Sequence, residues 1–113
     1  MVHQSLEAAK TLASEGVSVQ VVNVHTVKPL DEDCIVSCAA ATGAVVVCEE
    51  HQRIGGLGSA VCECLAQRCC VPVELVGIRD RFGESGRPNE LLEAYGLGPS
   101  HVAEAVRAVL KRK

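Results

Sequence analysis

Apolar positions along the chain follow two rhythms, a helical spacing and dense β-branched runs, and the two alternate. Within residues 5–15, Leu6, Ala9 and Ala13 share one helical face, with Ala8 and Leu12 beside them. Gly16 follows, where a helix end favours a left-handed residue. Residues 17–24 hold Val17, Val19, Val21, Val22 and Val24. A run so rich in β-branched side chains suits a strand covered on both faces. Lys28-Pro29-Leu30 then predicts a turn, and Asp31, Glu32 and Asp33 predict a helix start, because carboxylates cap free N–H groups and complement the helix dipole. Ile35, Val36, Ala39 and Ala40 supply that helix with a buried stripe, and Thr42-Gly43 ends it.

Residues 44–48 read as a second buried strand running into Glu49-Glu50-His51. A glycine-rich bend, Ile54-Gly55-Gly56-Leu57-Gly58-Ser59, precedes a helix to about Cys69, and residues 72–78 read as a third strand. Residues 79–86 are polar and glycine-punctuated, hence a loop. Pro88 and Gly96 bracket a short helix. A last helix over 99–110 buries Val102, Ala105, Val106 and Val109, with Lys111, Arg112 and Lys113 at its negative end. Strands joined by single helices pair in parallel through right-handed crossovers. The fold class predicted is therefore α/β, a three-layer α/β/α domain with a mainly parallel sheet occupying residues 1–113. Three strands are few for such a sheet, and a helix ahead of the first strand has nothing upstream to cross over from. The chain thus reads as an N-terminally truncated piece.

Composition narrows the function classes. Hydrophobic residues make up 48% of the 113, which excludes disorder. With one Phe, one Tyr and no Trp, the chain lacks stacking platforms for single-stranded nucleic acid. A formal net charge of −3 offers no electrostatic footprint for a phosphate polymer or an anionic membrane. No apolar run reaches the roughly 20 residues of a membrane helix, and no export signal opens the chain, so a cytoplasmic location is expected. Seven cysteines is an odd number, and most sit inside apolar periodic segments. They read as core thiols in a reducing compartment, with Cys64 and Cys70 the more exposed.

Three constellations are chemical candidates. The bend at Gly55, Gly56, Gly58 and Ser59 lies between a strand and a helix, where backbone N–H groups can cradle a phosphate. It matches a dinucleotide fingerprint incompletely, since position 61 is Val, and a tight turn with close helix packing is the favoured explanation. Glu49, Glu50 and His51 end a strand at the edge where open α/β sheets take ligands. They suit acid–base work or a hydrogen-bonded interface cluster. Asp80, Arg81, Phe82, Gly83 and Glu84 place the only Phe among charges, either as an anchor on another surface or tucked under its own domain. The cysteines at 62, 64, 69 and 70 lie too close on one helix to enclose a metal.

Taken together, Asn23-Val24-His25-Thr26-Val27-Lys28-Pro29-Leu30-Asp31, Glu49-Glu50-His51, the block from Ile54 to Val61, the block from Asp80 to Gly86 and the block from Glu90 to Leu97 resemble the C-terminal domain of transketolase, of the split type with a separate C-terminal subunit. Similar domains occur in deoxyxylulose-phosphate synthase and in 2-oxoacid dehydrogenase β-subunits. The resemblance implies a parent enzyme that uses thiamine diphosphate and magnesium to transfer a two-carbon ketol unit between sugar phosphates. It implies that the cofactor is held by pyrimidine-binding and diphosphate-binding domains upstream or in another subunit, and that this chain alone binds none. No residue here is then catalytic, and the candidates above become loop and interface positions. Homodimeric or strand-swapped assembly, without nucleic acid or membrane, is the partner expectation. A stand-alone anion- or nucleotide-binding regulatory module is the alternative.

Two departures stand out. The family's strand just ahead of the first helix is missing here. In the family sheet that strand lies between the strands placed at 17–24 and 44–49, so its loss exposes hydrogen-bonding edges. Arg87 also stands where the family often has Ser or Thr before Pro88, and a lost N-cap costs ~1 kcal/mol.

Overall fold

The computed structural model describes residues 2–24, 30–52, 56–78 and 98–113. Its elements are α1 (Val2–Ser14), α2 (Glu32–Thr42), β1 (Val45–Gln52), α3 (Leu57–Arg68), β2 (Val73–Ile78) and α4 (Pro99–Lys111). The turn at 28–29, Gly55, the loop with Asp80, Arg81, Phe82, Gly83 and Glu84, and the short helix between Pro88 and Gly96 lie outside the described residues.

Local chemistry sets the helix ends. The Cys34 N–H donates to Asp31 Oδ1 at 3.2 Å, so Asp31 caps α2 as its sequence position predicts. At the other end Gly43 takes φ 78°, and its N–H donates to the Ala39 carbonyl. Gly16 closes α1 at φ 82°.

β1 and β2 pair in parallel, with Val45 opposite Val73 and Val47 opposite Leu75. The register breaks between Cys48 and Gln52. Because side chains alternate across a strand, the sheet feeds two cores. Val46, Cys48 and Val76 turn toward α1 and α4, where Ala8, Leu12, Val102 and Val106 are buried. Val45, Val47, Val73 and Leu75 turn toward α2 and α3, onto Ile35, Ala39, Val61 and Leu65. The result is a three-layer α/β/α domain.

Several predicted faces rotate. In α1 the buried residues are Ala8 and Leu12, while Leu6 and Ala13 are exposed. The stripe follows i, i+4 toward α4 rather than the spacing through Leu6 and Ala13. Ala40 is exposed on α2. In α3 the buried set is Gly58, Val61, Cys64 and Leu65. Cys64, expected at the surface, is therefore inside, on the side that meets α2. Its thiol is pushed up by burial and by a hydrogen bond with the Glu32 carboxylate. Cys70 is exposed as expected.

The largest departure concerns residues 17–24. They form no ladder among the described residues, although the sequence predicts a strand. Among the described residues, the Val17 N–H alone has a backbone partner there, the Leu12 carbonyl at 2.9 Å. The physical reason is a gap. A cavity of about 460 Å³ separates residues 19–24 from residues 45–49 of β1. Among the described residues, no strand lies beside the valine run to pair with it.

Candidate functional site

Glu49 is the one charged residue buried among the described positions, at 8% exposure. It stands where β1 loses register with β2, an irregularity that re-aims side chains. Its carboxylate turns onto the start of α3. Oε2 accepts from the Leu57 N–H at 2.7 Å, and Oε1 accepts from the Gly58 N–H at 3.2 Å. One anionic side chain thus satisfies two orphan donors and opposes the positive helix end.

The glycines of the bend fit this arrangement closely. A Cβ on Gly56 would meet Glu49 Oε2 at 2.5 Å. A Cβ on Gly58 would meet Leu75 Cδ2 at 2.9 Å and Glu49 Oε1 at 3.3 Å. The glycines therefore admit a carboxylate from within the chain and let α3 settle on β2. Ser59 sits half-buried on the first turn of α3. Glu50 and His51 continue the backbone of β1. Of the predicted site residues, the structure brings together Glu49, Gly56 and Gly58. What the bend holds is Glu49 itself.

The second feature is the cavity beside β1. Its walls are consecutive residues on both sides, 19–24 and 45–49. A strand that shows every residue to a space, not every second one, presents its backbone edge to it. One lid is Ala8, Leu12, Val102 and Val106, and the other is Ile35, Cys38, Leu57 and Val61. At the end near the α1 start, the Cys48 thiol hydrogen-bonds with Ser5, while burial, the larger effect, pushes that thiol up. The residue types alone did not reveal Cys38, Ser5 and Ala8 as cavity lining. The signal for the space itself was the resemblance, which puts a family strand between residues 17–24 and 44–49.

The sequence matches the family described as Transketolase, C-terminal domain, over residues 1–102. The chain belongs to that family. This transketolase C-terminal domain is 48% identical over 113 residues to the 6-deoxy-6-sulfo-D-fructose transketolase subunit SqwH of Clostridium sp. (strain MSTE9), covering 100% of this chain and 35% of that protein. It is 41% identical over 114 residues to a 1-deoxy-D-xylulose-5-phosphate synthase of Picosynechococcus sp., covering 100% of this chain and 18% of the relative. Human Transketolase-like protein 2 is 37% identical over 111 residues, covering 97% of the chain and 18% of the relative. Among solved structures, a split gene transketolase described as an inactive beta4 tetramer superposes with a TM-score of 0.93 at 48% identity. That match covers 97% of this chain and 36% of the other. The chain thus spans about a third of the SqwH subunit, or less of the longer relatives.

Proposed function

We propose that this chain serves as the C-terminal structural and interface domain of a transketolase and carries none of the reacting groups itself. The parent activity is transfer of a two-carbon ketol unit between sugar phosphates, chemistry that thiamine diphosphate with magnesium supplies when bound. The observation that carries the reading is Glu49. At the carboxyl edge of the sheet, where an open α/β fold takes its ligands, the α3 N-terminus is spent on a carboxylate of the same chain. A diphosphate would meet a negative charge there instead of free N–H groups. The described residues therefore do not fit thiamine diphosphate, and the cofactor belongs to pyrimidine-binding and diphosphate-binding domains carried elsewhere. The same fact removes the donors that the anion-binding alternative needs.

Glu50, His51, Gly55, Ser59 and the segment with Asp80, Arg81, Phe82, Gly83 and Glu84 then act as loop and interface positions. Assembly with a partner subunit or neighbouring domain, in a dimeric or strand-exchanged arrangement in the cytoplasm, completes the reading. Its support is the likeness to a split-gene transketolase and to the SqwH subunit.

Reconstitution tests it. The chain alone, titrated calorimetrically with thiamine diphosphate and magnesium, is expected to give no saturable heat. Mixed with a subunit carrying the two upstream domains, it is expected to raise ketol transfer from a ketose phosphate or from 6-deoxy-6-sulfofructose. Saturable cofactor binding by the chain alone would refute the assignment, as would a partner subunit equally active without it.

A further inference from the structure

We propose that Cys34 and Cys38 on α2 form a dithiol clamp for a thiophilic trivalent centre, held sulfur to sulfur along one face of the helix, with a trivalent arsenical as the class of ligand that fits. The site is separate from Glu49 and the start of α3, and it does not depend on the functional reading above.

Three observations carry it. First, the two residues lie four apart, so they stand one turn from each other on the same face of α2. Their thiols are in hydrogen-bond contact, and both residues are only half-buried. Second, the other thiols are committed or alone. Cys48 and Cys69 pack against the two cores, Cys64 is buried, and the Cys70 thiol donates to the Ala66 carbonyl at 3.4 Å. Cys62 has no cysteine three or four residues away on α3. Third, α2 is fixed at both ends, by the Asp31 cap and by Gly43, and Ile35 and Ala39 bury it against Val61 and Leu65 of α3. The two sulfurs are therefore positioned before a ligand arrives, which cuts the ordering cost of binding.

The helix also decides which chemistry the pair admits. Side chains at this spacing start from Cβ atoms about 5–6 Å apart. A disulfide needs them about 3.5–4.5 Å apart, so direct oxidation has to unwind α2. A third atom between the sulfurs adds the missing reach and leaves the helix intact. Burial, the Cys38 thiol and the Asp31 carboxylate hold the Cys34 thiol above its ordinary range, so it stays protonated near neutrality. That disfavours reagents that need a single thiolate and is no obstacle to a condensation that carries the protons away. With an organic arsenic(III) dihydroxide, two As–O bonds break, two As–S bonds form, and each thiol proton leaves with a hydroxyl as water. Arsenic stays trivalent, and nothing is oxidised or reduced.

The test uses the reduced full chain and phenylarsine oxide. Stoichiometry is read from the mass of the intact chain, the bridged residues from peptide masses, and affinity from competition with a small dithiol. One arsenical is expected per chain at low excess, joining Cys34 to Cys38. Cys34→Ser and Cys38→Ser are each expected to weaken binding about a hundredfold, the order of an effective-concentration gain. Cys70→Ser, which breaks up the adjacent Cys69-Cys70 pair, is expected to leave it unchanged. A chain carrying Cys38→Ser with Val36→Cys keeps the number of thiols but moves one to the opposite face of α2, and it is expected to bind as weakly as Cys38→Ser. Mapping of the arsenical to Cys69 and Cys70 would overturn the proposal, as would parent-like affinity of the Val36→Cys chain. So would a Cys34–Cys38 disulfide formed by oxidised glutathione with no loss of helical circular dichroism.

Discussion

Glu49 shows how much one side chain can settle. Its two oxygens meet the Leu57 and Gly58 N–H groups inside the fold, so removing them strands buried donors. Glu49→Ala is expected to cost about 1–3 kcal/mol in urea unfolding, the range for an unsatisfied buried polar group. Gly56→Ala is expected to be destabilising too, because its Cβ would fall 2.5 Å from Glu49 Oε2, and the carboxylate would have to leave the Leu57 N–H. A double variant should then cost less than the two single changes summed, since both act on the same contact. Equal stability of Glu49→Ala and the parent would show that the cap is idle. The sequence placed this carboxylate at a sheet edge beside a glycine bend. It could not show that the two were donor and acceptor, because that depends on how the chain turns after the register break between Cys48 and Gln52.

Helices on each face of the sheet are joined in pairs by one ion pair. Arg107 reaches Glu15 with two hydrogen bonds, at 3.1 and 2.6 Å, joining α4 to the end of α1. Arg68 reaches Asp33 at 2.8 Å, joining α3 to α2. The hydrogen bond from Arg107 holds the Glu15 carboxyl below its ordinary value of 4.5. A lowered native value means that the pair stabilises fully above 4.5 and loses its contribution as pH falls from there toward the native value. The stability difference between the parent and Arg107→Ala should therefore shrink below about pH 4.5, and added salt should reduce it at any pH, because the pair is half-exposed. Thermal melts across pH 3 to 7 would check both, to within about the reach of such exposed pairs. Element identity was legible in the sequence at this scale. The cap at Asp31, the stop at Gly43 and both β runs flanking α3 appear where spacing put them. Helix faces were less legible. Periodicity tells that a stripe exists, whereas the choice between Leu6 and Ala8 is made by where α4 lies.

At the scale of the whole molecule, the two cores stand on a sheet of two paired strands, and the valine run at 17–24 stays unladdered. That outcome could not be read from residue preference, because a strand needs a neighbour and none of the described residues lies beside this run to pair with it. Burial on the open side also has an alkaline signature. Desolvation holds the Cys48 thiol above its ordinary value of 9.0. A raised native value means that stability is intact below 9.0 and declines as pH rises through it, since the unfolded chain ionises first. Unfolding midpoints are expected to fall above pH 9, and less steeply in Cys48→Ala. A pH-independent midpoint between 8 and 10.5 would contradict the burial of that thiol.

The self-supplied cap at the start of α3 also makes this corner change as a unit. Glu49, Gly56 and Gly58 share one set of contacts, so an exchange at any of them shifts what the other two can accommodate. Tolerated variation there is therefore expected to be concerted, the carboxylate and both glycines altering together.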